Sequence, residues 1–349
     1  MRNRRPPATD LLADPFREHT AARERLSLPV LGGRFEFECD NRMLARLVQW
    51  AYAGLPRYRL AGAEPSFRVR LSLAPQAGTP VSRREPDRIG MLSGAGMLCG
   101  TTSGSDFAVL APDHGSALVV LSREMLRFPY HARYELLEFA VFTLAARRRG
   151  LIPLHAACIG ERGRGLLLMG DSGAGKSTAT LHALLQGLEF LSEDSLFVEP
   201  RTLRAIAVPN FMHIRCDSLH TLPKSAASRI ARSPVITRRS GVRKYEIDLR
   251  RQPFRIARHP LDVRAIVFMS SRNARQKPAL RPLNRREAIE RFRQNQPYAT
   301  QQRSWKTFRP MLASIPAFEL RRSGTPDDAV ELLRTLLQPS GEIRVTAGR

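Results

Sequence analysis

The stretch Leu166-Leu167-Leu168-Met169-Gly170-Asp171-Ser172-Gly173-Ala174-Gly175-Lys176-Ser177-Thr178 decides the reading of this chain. It begins as a short apolar strand, turns through a glycine-rich loop and enters a helix. Gly170, Gly175, Lys176 and Ser177 satisfy G-x-x-x-x-G-K-[ST], the Walker A pattern of a P-loop. Each part has a physical reason. The glycines let the backbone of Gly170, Asp171, Ser172, Gly173, Ala174 and Gly175 wrap closely, so that several N–H groups point at phosphate oxygens. The helix that follows brings its positive end to the same place, through the first-turn residues Lys176, Ser177 and Thr178. Lys176 adds a full charge at the outer phosphates, and Ser177 offers a hydroxyl to Mg²⁺. The expectation is a nucleoside triphosphate bound with Mg²⁺. The alternative is a glycine-rich turn beside a structural lysine.

Outward from this loop the context is that of a phosphate-binding unit. Leu151–Ile159 reads as a strand, Gly160–Gly165 as a turn and Leu166–Met169 as a buried strand. Lys176–Gln186 reads as a helix stopped at Gly187, and Leu188–Leu191 as a second strand ending at Ser192-Glu193-Asp194. Glu193 and Asp194 lie 17 and 18 residues after Lys176. Neighbouring strand ends of such a sheet lie beside the loop, so one acid can hold Mg²⁺ and the other can accept the proton of an attacking hydroxyl. The alternative for both is a solvated strand end or a helix cap. His155, a lone histidine on an apolar strand, reads on spacing alone as a core residue.

The chain has 349 residues, enough for two domains, and 43% hydrophobic content, enough for a packed core. No apolar run approaches the roughly 20 residues of a membrane helix. The opening Met1-Arg2-Asn3-Arg4-Arg5-Pro6-Pro7 is not followed by an apolar stretch, so no secretory signal is expected and the protein reads as cytoplasmic. Cys39, Cys99, Cys158 and Cys216 fit no CxxC spacing and read as reduced thiols, with no structural metal.

The net charge of +24 is unevenly placed. Residues 1–150 carry 22 Lys/Arg against 15 Asp/Glu, whereas residues 201–310 carry 26 against 6. Nearly all of these cations are Arg, whose planar fork suits carboxylate and phosphate. Codon bias on a solvated surface is one reading; an anion-facing surface over 201–310 is the other. Arg215, Arg243 and Lys244 are candidates to hold an acceptor or the transferring phosphate.

The rest of the chain divides less sharply. Residues 1–30 read as a loose arm. Arg34–Cys39, Phe67–Leu73, Phe107–Leu110 and Ala117–Leu121 read as strands, Asn41–Ala53 as a helix and Gly78–Gly104 as turns. Ala132–Arg149 reads as a helix, with Leu136, Leu137, Ala140, Val141 and Leu144 on one face and Gly150 as its stop. Ala205–Val208 and Arg264–Met269 read as strands, and the basic stretch Ser218–Arg258 between them as flexible loops. Arg285–Gln294 reads as a helix capped by Asn284, Ala317–Leu320 as a strand and Pro326–Leu337 as an amphipathic helix. A mobile tail is expected after Gln338. The domain reading is residues 1–130 as a smaller α+β domain, 131–338 as the catalytic domain and 339–349 as tail.

Leu154-His155-Ala156-Ala157, Gly165–Met169, Gly170–Thr178, Gly187 and Ser192-Glu193-Asp194 together resemble the catalytic core of HPr kinase/phosphorylase. The likeness is greater to the HPr-kinase-related proteins that include lasso-peptide serine kinases. It is dense over residues 151–200, fainter to Leu337 and slight over residues 1–130. It implies an α/β fold with a P-loop on a mixed sheet, of the kind found in the nucleotide domain of phosphoenolpyruvate carboxykinase. It implies ATP, Mg²⁺ and transfer to a serine hydroxyl. By that resemblance Lys176 and Ser177 match the phosphate- and metal-binding pair, and Asp194 the catalytic acid–base. Glu193 matches an acid that is usually Asp, and His155 the histidine near the transferred phosphate. The sequence departs from HPr kinase proper at Thr178, where the family has Glu, at Glu193, and in the C-terminal segment that grips the substrate protein. An acceptor other than HPr, a peptide, protein or small molecule, fits better, and the resemblance implies a homo-oligomer. A nucleotide-binding switch without transfer, and an ATPase acting on nucleic acid, are the competing functions.

Overall fold

The computed structural model describes residues 23–74, 85–102, 105–273, 279–322 and 325–338. The tail read at 339–349 and most of the arm read at 1–30 lie outside these. The chain forms two compact units. Among the described residues, the first takes those up to Leu28, Phe35–Trp50 and those within Arg68–Ala140; the second takes Pro29–Arg34, Ala51–Phe67 and those from Val141 on.

A seven-stranded sheet organises the first unit. Its strands are β1 (Glu24–Val30), β2 (Gly33–Cys39), β3 (Ser66–Leu73), β4 (Gly90–Gly94), β5 (Met97–Thr101), β6 (Phe107–Ala111) and β7 (Ser116–Leu121), in the order β1-β2-β3-β7-β6-β5-β4. Helix α1 (Arg42–Tyr52) joins β2 to β3. The strands read at Arg34–Cys39, Phe67–Leu73, Phe107–Leu110 and Ala117–Leu121 are present. Two expectations fail here. Residues 24–30, assigned to the loose arm, form a strand. Within Gly78–Gly104, read as turns, residues 90–101 form an antiparallel hairpin closed by Ala95 and Gly96, both with positive φ. Every residue of β4 is exposed. As an edge strand with no buried face it carries no alternation of apolar and polar residues, which is the signal a strand reading needs.

The helix read at Ala132–Arg149 is present in two pieces. Ala132–Leu137 is a π-helical segment, and α2 (Glu138–Arg149) continues it. The wide turns coincide with the fully buried Arg133, whose guanidinium stacks 3.9 Å from the centroid of the Trp50 ring.

The second unit holds a nine-stranded mixed sheet and a three-stranded one. The strands β8 (Ile152–His155), β9 (Ala157–Glu161), β10 (Arg164–Met169), β11 (Glu189–Ser192), β12 (Ser195–Val198) and β13 (Arg204–Ala207) are short; β17 (Leu261–Asn273) is the long central one. The order is β11-β9-β10-β17-β13-β12-β8, and β19 (Ala317–Arg322) pairs with both β17 and β18 (Ala279–Pro282). β17 runs parallel to β10 and to β19, while the other pairings are antiparallel, so the sheet is mixed. The single strand read at Leu151–Ile159 is two, broken at Ala156, and its halves lie at different places in the sheet. The turn read at Gly160–Gly165 is tighter than expected, because β9 runs on to Glu161 and β10 starts at Arg164.

Helix α3 (Lys176–Leu185) follows β10 and packs with the last helix on a core that includes Leu166, Leu168, Ala179, Ala183, Val267, Leu320, Val330 and Leu333. The segment read as flexible, Ser218–Arg258, is largely structured. β14 (Phe211–Arg215), β15 (Val235–Thr237) and β16 (Arg243–Asp248) form a sheet in the order β14-β16-β15, and α4 (Lys224–Ile230) lies between β14 and β15. Met212, Ile214, Ile230, Ile247 and Leu249 bury against Leu181, Leu184 and Phe190. The many Arg and Ser residues on the exposed positions conceal this short alternation.

The helices α5 (Arg285–Asn295), α6 (Trp305–Leu312) and α7 (Pro326–Thr335) follow, with a single helical turn at Pro297–Thr300 between the first two. As read, Asn284 caps α5, its Oδ1 accepting from the Glu287 N–H at 2.9 Å. Thr325 and Asp328 form a capping box on α7. No helix among the described residues is long and apolar enough to cross a membrane.

Candidate functional site

The loop Gly170–Gly175 leaves the end of β10 and delivers the chain into α3. Gly170 has φ +140°, and a Cβ there would stand 2.7 Å from the Met269 carbonyl oxygen on β17. Only glycine fits a loop held this close to the neighbouring strand. Gly175, also left-handed, precedes the helix without a side-chain cap, so the first-turn N–H groups of α3 are left for other acceptors. Asp171, Ser172 and Gly173 are exposed, Ala174 is buried, and Ser177 and Thr178 are half-buried.

Lys176 is buried and donates to the Gly170 carbonyl at 2.6 Å and the Asp171 carbonyl at 3.2 Å. Burial pulls its pKa below the ordinary lysine value, and the negative charges of Asp194, Asp171 and Glu193 act against that pull. The same interactions establish that these three acids lie within electrostatic reach of the ammonium.

Asp194 and Glu193 occupy the turn from β11 into β12. Ser192 Oγ fastens that turn, donating to the Ser195 carbonyl at 2.7 Å and accepting from the Asp194 N–H at 3.2 Å. Pairing of β12 with β8 sets Ser195 opposite His155, and His155 Nδ1 lies 2.8 Å from Asp194 Oδ1. Arg238 Nη2 stands 3.6 Å from the other Asp194 oxygen. Burial alone would raise the Asp194 pKa. The hydrogen bond and charge of His155, then the charges of Arg238 and Lys244, outweigh burial and hold the carboxyl well below the usual carboxylate range.

Glu193 is buried, and its Oε1 accepts from both the backbone N–H of His213 at 3.0 Å and the His213 ring Nδ1 at 3.1 Å. The other ring nitrogen of His213 lies 3.1 Å from Glu246 Oε1. All three residues are at least 95% buried, so β14 and β16 insert a carboxylate–imidazole–carboxylate chain beneath the site. Burial opposes charge on that imidazole. The hydrogen bonds and charges of Glu193 and Glu246 win, and its pKa lies above the ordinary histidine value. Glu193 Oε2 is buried without a hydrogen-bond partner among the described residues. A buried orphan carboxylate oxygen of this kind suits a cation or an ordered water.

The structure thus brings Lys176, Asp194, Glu193 and His155 together. Of the basic candidates it brings in Lys244, half-buried on β16 in the field of Glu193 and Asp194. Arg215 is instead exposed and paired with Asp217 at 2.6 Å, and Arg243 is exposed. Four contributors escaped the sequence reading: Arg238, His213, Glu246 and Gln296. The buried Gln296 clamps His155 from the edge of the sheet: its Oε1 accepts from the His155 N–H and its Nε2 donates to the His155 carbonyl, both at 2.8 Å. His213 left one trace in the sequence, a histidine inside the apolar run Phe211–Ile214. Gln296 left none.

No group of three or more His, Cys, Asp or Glu side chains placed to hold a metal occurs among the described residues. A Mg²⁺ ion that takes one or two carboxylates and completes its shell with phosphate oxygens and water does not need such a group. All four cysteines are unpaired, and burial pushes the Cys39 thiol up to about 12, which leaves it unreactive.

No family model matches the chain, and no curated protein matches it. Among solved structures, the HPr(Ser) kinase/phosphatase from Coxiella burnetii is similar over 53% of this chain and 93% of its own, at 14% identity and a TM-score of 0.28. A likeness at that score assigns neither an activity nor a residue role to this chain.

Proposed function

We propose that the chain is an ATP- and Mg²⁺-dependent phosphotransferase acting on a hydroxyl, preferentially a serine hydroxyl, of a peptide, protein or small molecule. The observation that supports this best is one cluster. A lysine at the end of a Walker A loop lies within reach of two acids, one of which, Asp194, is hydrogen-bonded to a histidine with a 61% exposed side chain. In this reading the N–H groups of Gly170–Thr178 and the start of α3 hold the outer phosphates, and Lys176 exchanges its two loop carbonyls for phosphate oxygens. Ser177 would hold the Mg²⁺, with the unpartnered Oε2 of Glu193 on the metal side and Asp194 left to the acceptor hydroxyl. The metal supplies neutralisation of the developing charge. The bond between the γ-phosphorus and the bridging oxygen to ADP breaks as the acceptor oxygen bonds to the same phosphorus, and the hydroxyl proton passes to Asp194. Its depressed pKa keeps Asp194 ionised and ready to accept. In a loose transition state positioning contributes more than base strength. His155, held through Nδ1, offers its other ring nitrogen to the transferring group.

Lys176→Ala tests the assignment. Nucleotide affinity should fall on the order of tenfold or more, about 1.4 kcal/mol, and label transfer from ATP should be lost. Equal thermal stabilisation of both proteins by ATP–Mg²⁺ would reject the phosphate-loop reading. A nucleotide-binding switch is the second reading, favoured by the engagement of Glu193 Oε1 with His213. Tight ATP binding with no transfer to any acceptor would select it.

A further inference from the structure

Outside the Gly170–Asp194 region, the second unit carries an open groove along α5 and α6. Three cavities, of about 450, 540 and 320 Å³, share Arg285 and Ile289 in their linings and so form one continuous depression. No residue of the Gly170–Ser177 loop lines any of them.

The chemistry of the groove is specific. Arg285, Arg286 and Arg293 border it from α5, and Lys306 and Arg309 from α6; all five are exposed. Glu290 is the acid among the lining residues, and it already faces Arg293 at 3.7 Å. Arg285, Arg286, Lys306 and Arg309 have no ion-pair or hydrogen-bond partner for their charged groups among the described residues. The floor between the two basic banks is apolar, made by Ile289, Trp305, Pro310 and Ala313. Trp305 is fixed there by stacking on the buried Phe292, ring centroids 5.9 Å apart. Elsewhere in the unit the basic residues near acids are mostly spent: Arg281 on Glu287 and Glu319, Arg291 on Glu287, Arg334 on Glu161.

We infer that this groove docks an acidic polypeptide segment in which Asp or Glu alternates with large apolar side chains. Unpaired cations on two banks call for anionic groups on both sides of the ligand, and the floor calls for apolar anchors between them. Arg285 and Arg293 are eight residues apart, about 12 Å along a helix, a span that about four extended residues cover. A bare polyanion would leave the floor unused. A nucleic acid strand would find one ring, Trp305, where stacking recognition uses several. α5 runs straight into Gln296, so a docked segment would lie within about one helical turn of the residue that clamps His155. Docking itself requires neither nucleotide nor phosphoryl transfer, so it stands or falls apart from the proposed activity.

The test uses the full chain without nucleotide and a short fluorescein-labelled peptide of Glu, Leu and Phe, read by anisotropy. Parallel probes are the same peptide with Ser replacing Leu and Phe, and an oligothymidylate. Arg285→Glu with Arg309→Glu should weaken the Glu–Leu–Phe peptide on the order of tenfold or more. Ile289→Gln should weaken it severalfold and leave the Ser-substituted peptide, already the weaker binder, unchanged. If Ile289→Gln loses its folded circular dichroism signal, Ile289→Ala takes its place. Binding of the Ser-substituted peptide or the oligothymidylate as tightly as the Glu–Leu–Phe peptide would overturn the inference in favour of a non-selective basic patch. Indifference to the double charge reversal would overturn it as well.

Discussion

Two charged faces of the second unit are built in opposite ways. Around Asp194 the acids and imidazoles are paired with one another or with arginine: His155 and Arg238 on Asp194, His213 on Glu193, Glu246 on His213. Along α5 and α6 four cations have none among the described residues. The difference follows from burial. Taking a charge out of water costs several kcal/mol unless geometry supplies a partner, so the buried Glu193–His213–Glu246 chain beneath the first face must be organised before any ligand arrives. An exposed arginine carries no such demand and can keep its fork for a partner. Under the two proposals above, the first face would be preorganised for chemistry and the second open for recognition. Each experiment below breaks or sharpens that contrast, the largest effect first.

Removing the middle of the buried chain should be the most damaging change. His213→Ala removes the imidazole that stands between the Glu193 and Glu246 carboxylates and leaves the backbone N–H of residue 213 on Glu193 Oε1. Breaking a buried ion pair from one side destabilises by about 3–5 kcal/mol, and denaturant unfolding should show a loss on that scale. The exposed Arg285→Ala should stay within about 0.5 kcal/mol of wild type. Comparable small losses for both would erase the distinction between the faces.

Asp194→Asn should act on chemistry and leave binding intact. It keeps the size of the side chain and removes the proposed proton acceptor and one negative charge beside the proposed triphosphate site. ATP should bind as well as before or slightly better, while transfer falls roughly 10²-fold or more. Glu193→Gln should instead raise the Mg²⁺ concentration for half-maximal activity, with a smaller loss at saturating metal. The measurement is label transfer over a Mg²⁺ series, with nucleotide binding followed in parallel. Wild-type transfer by Asp194→Asn would end the role given to this carboxylate.

The parts of this site that were legible in the sequence are those fixed by local spacing. The glycines, Lys176 and Ser177 must be contiguous to form a loop, and Glu193-Asp194 must end the next strand, so a linear reading finds them. His155 was legible only through resemblance, because its pairing with Asp194 depends on β8 joining β12 at the sheet edge. Arg238, His213, Glu246 and Gln296 reach the site across 44, 20, 53 and 141 residues, from Asp194, Glu193, Glu193 and His155 in turn. No local pattern encodes such distances. The same limit applied to the fold. Whereas α4 and α6 were not read, the helices α3, α5 and α7 announced themselves by the loop before them, caps and periodicity. The β14–β16 sheet and the β4–β5 hairpin did not, one hidden under arginines and the other lacking a buried face.

Gln296→Ala removes two hydrogen bonds from the backbone of His155 and leaves the imidazole itself unchanged. Each such bond contributes on the order of 1 kcal/mol, so stability should fall by about 1–2 kcal/mol. If the clamp positions His155, kcat should fall severalfold with KM for ATP nearly unchanged, and Gln296→Glu, which retains only the acceptor, should recover part of the loss. A stability change with unaltered kcat would make Gln296 a structural brace alone.

The smallest and most diagnostic effect is the pH dependence of stability. His213 has a folded-state pKa raised above the unfolded value of about 6.5. The native state therefore holds this proton more tightly than the unfolded chain. The stabilisation is fully present below about pH 6.5 and is lost as pH rises through the folded value, where the native state must also release the proton. Asp194 behaves oppositely: its depressed pKa makes its contribution present above about 3.9 and lost as the medium is acidified through its folded value. Between those windows both contributions coexist, and stability should be greatest there. Urea unfolding from pH 2 to 9 on wild type and His213→Gln separates them. The wild-type curve should decline on the alkaline side more steeply than the variant's, and the two should run parallel on the acid side, where Asp194 is common to both. Superimposable alkaline limbs would mean that the buried imidazole is neutral in the folded protein. The two faces would then differ in burial but not in how their charges are held.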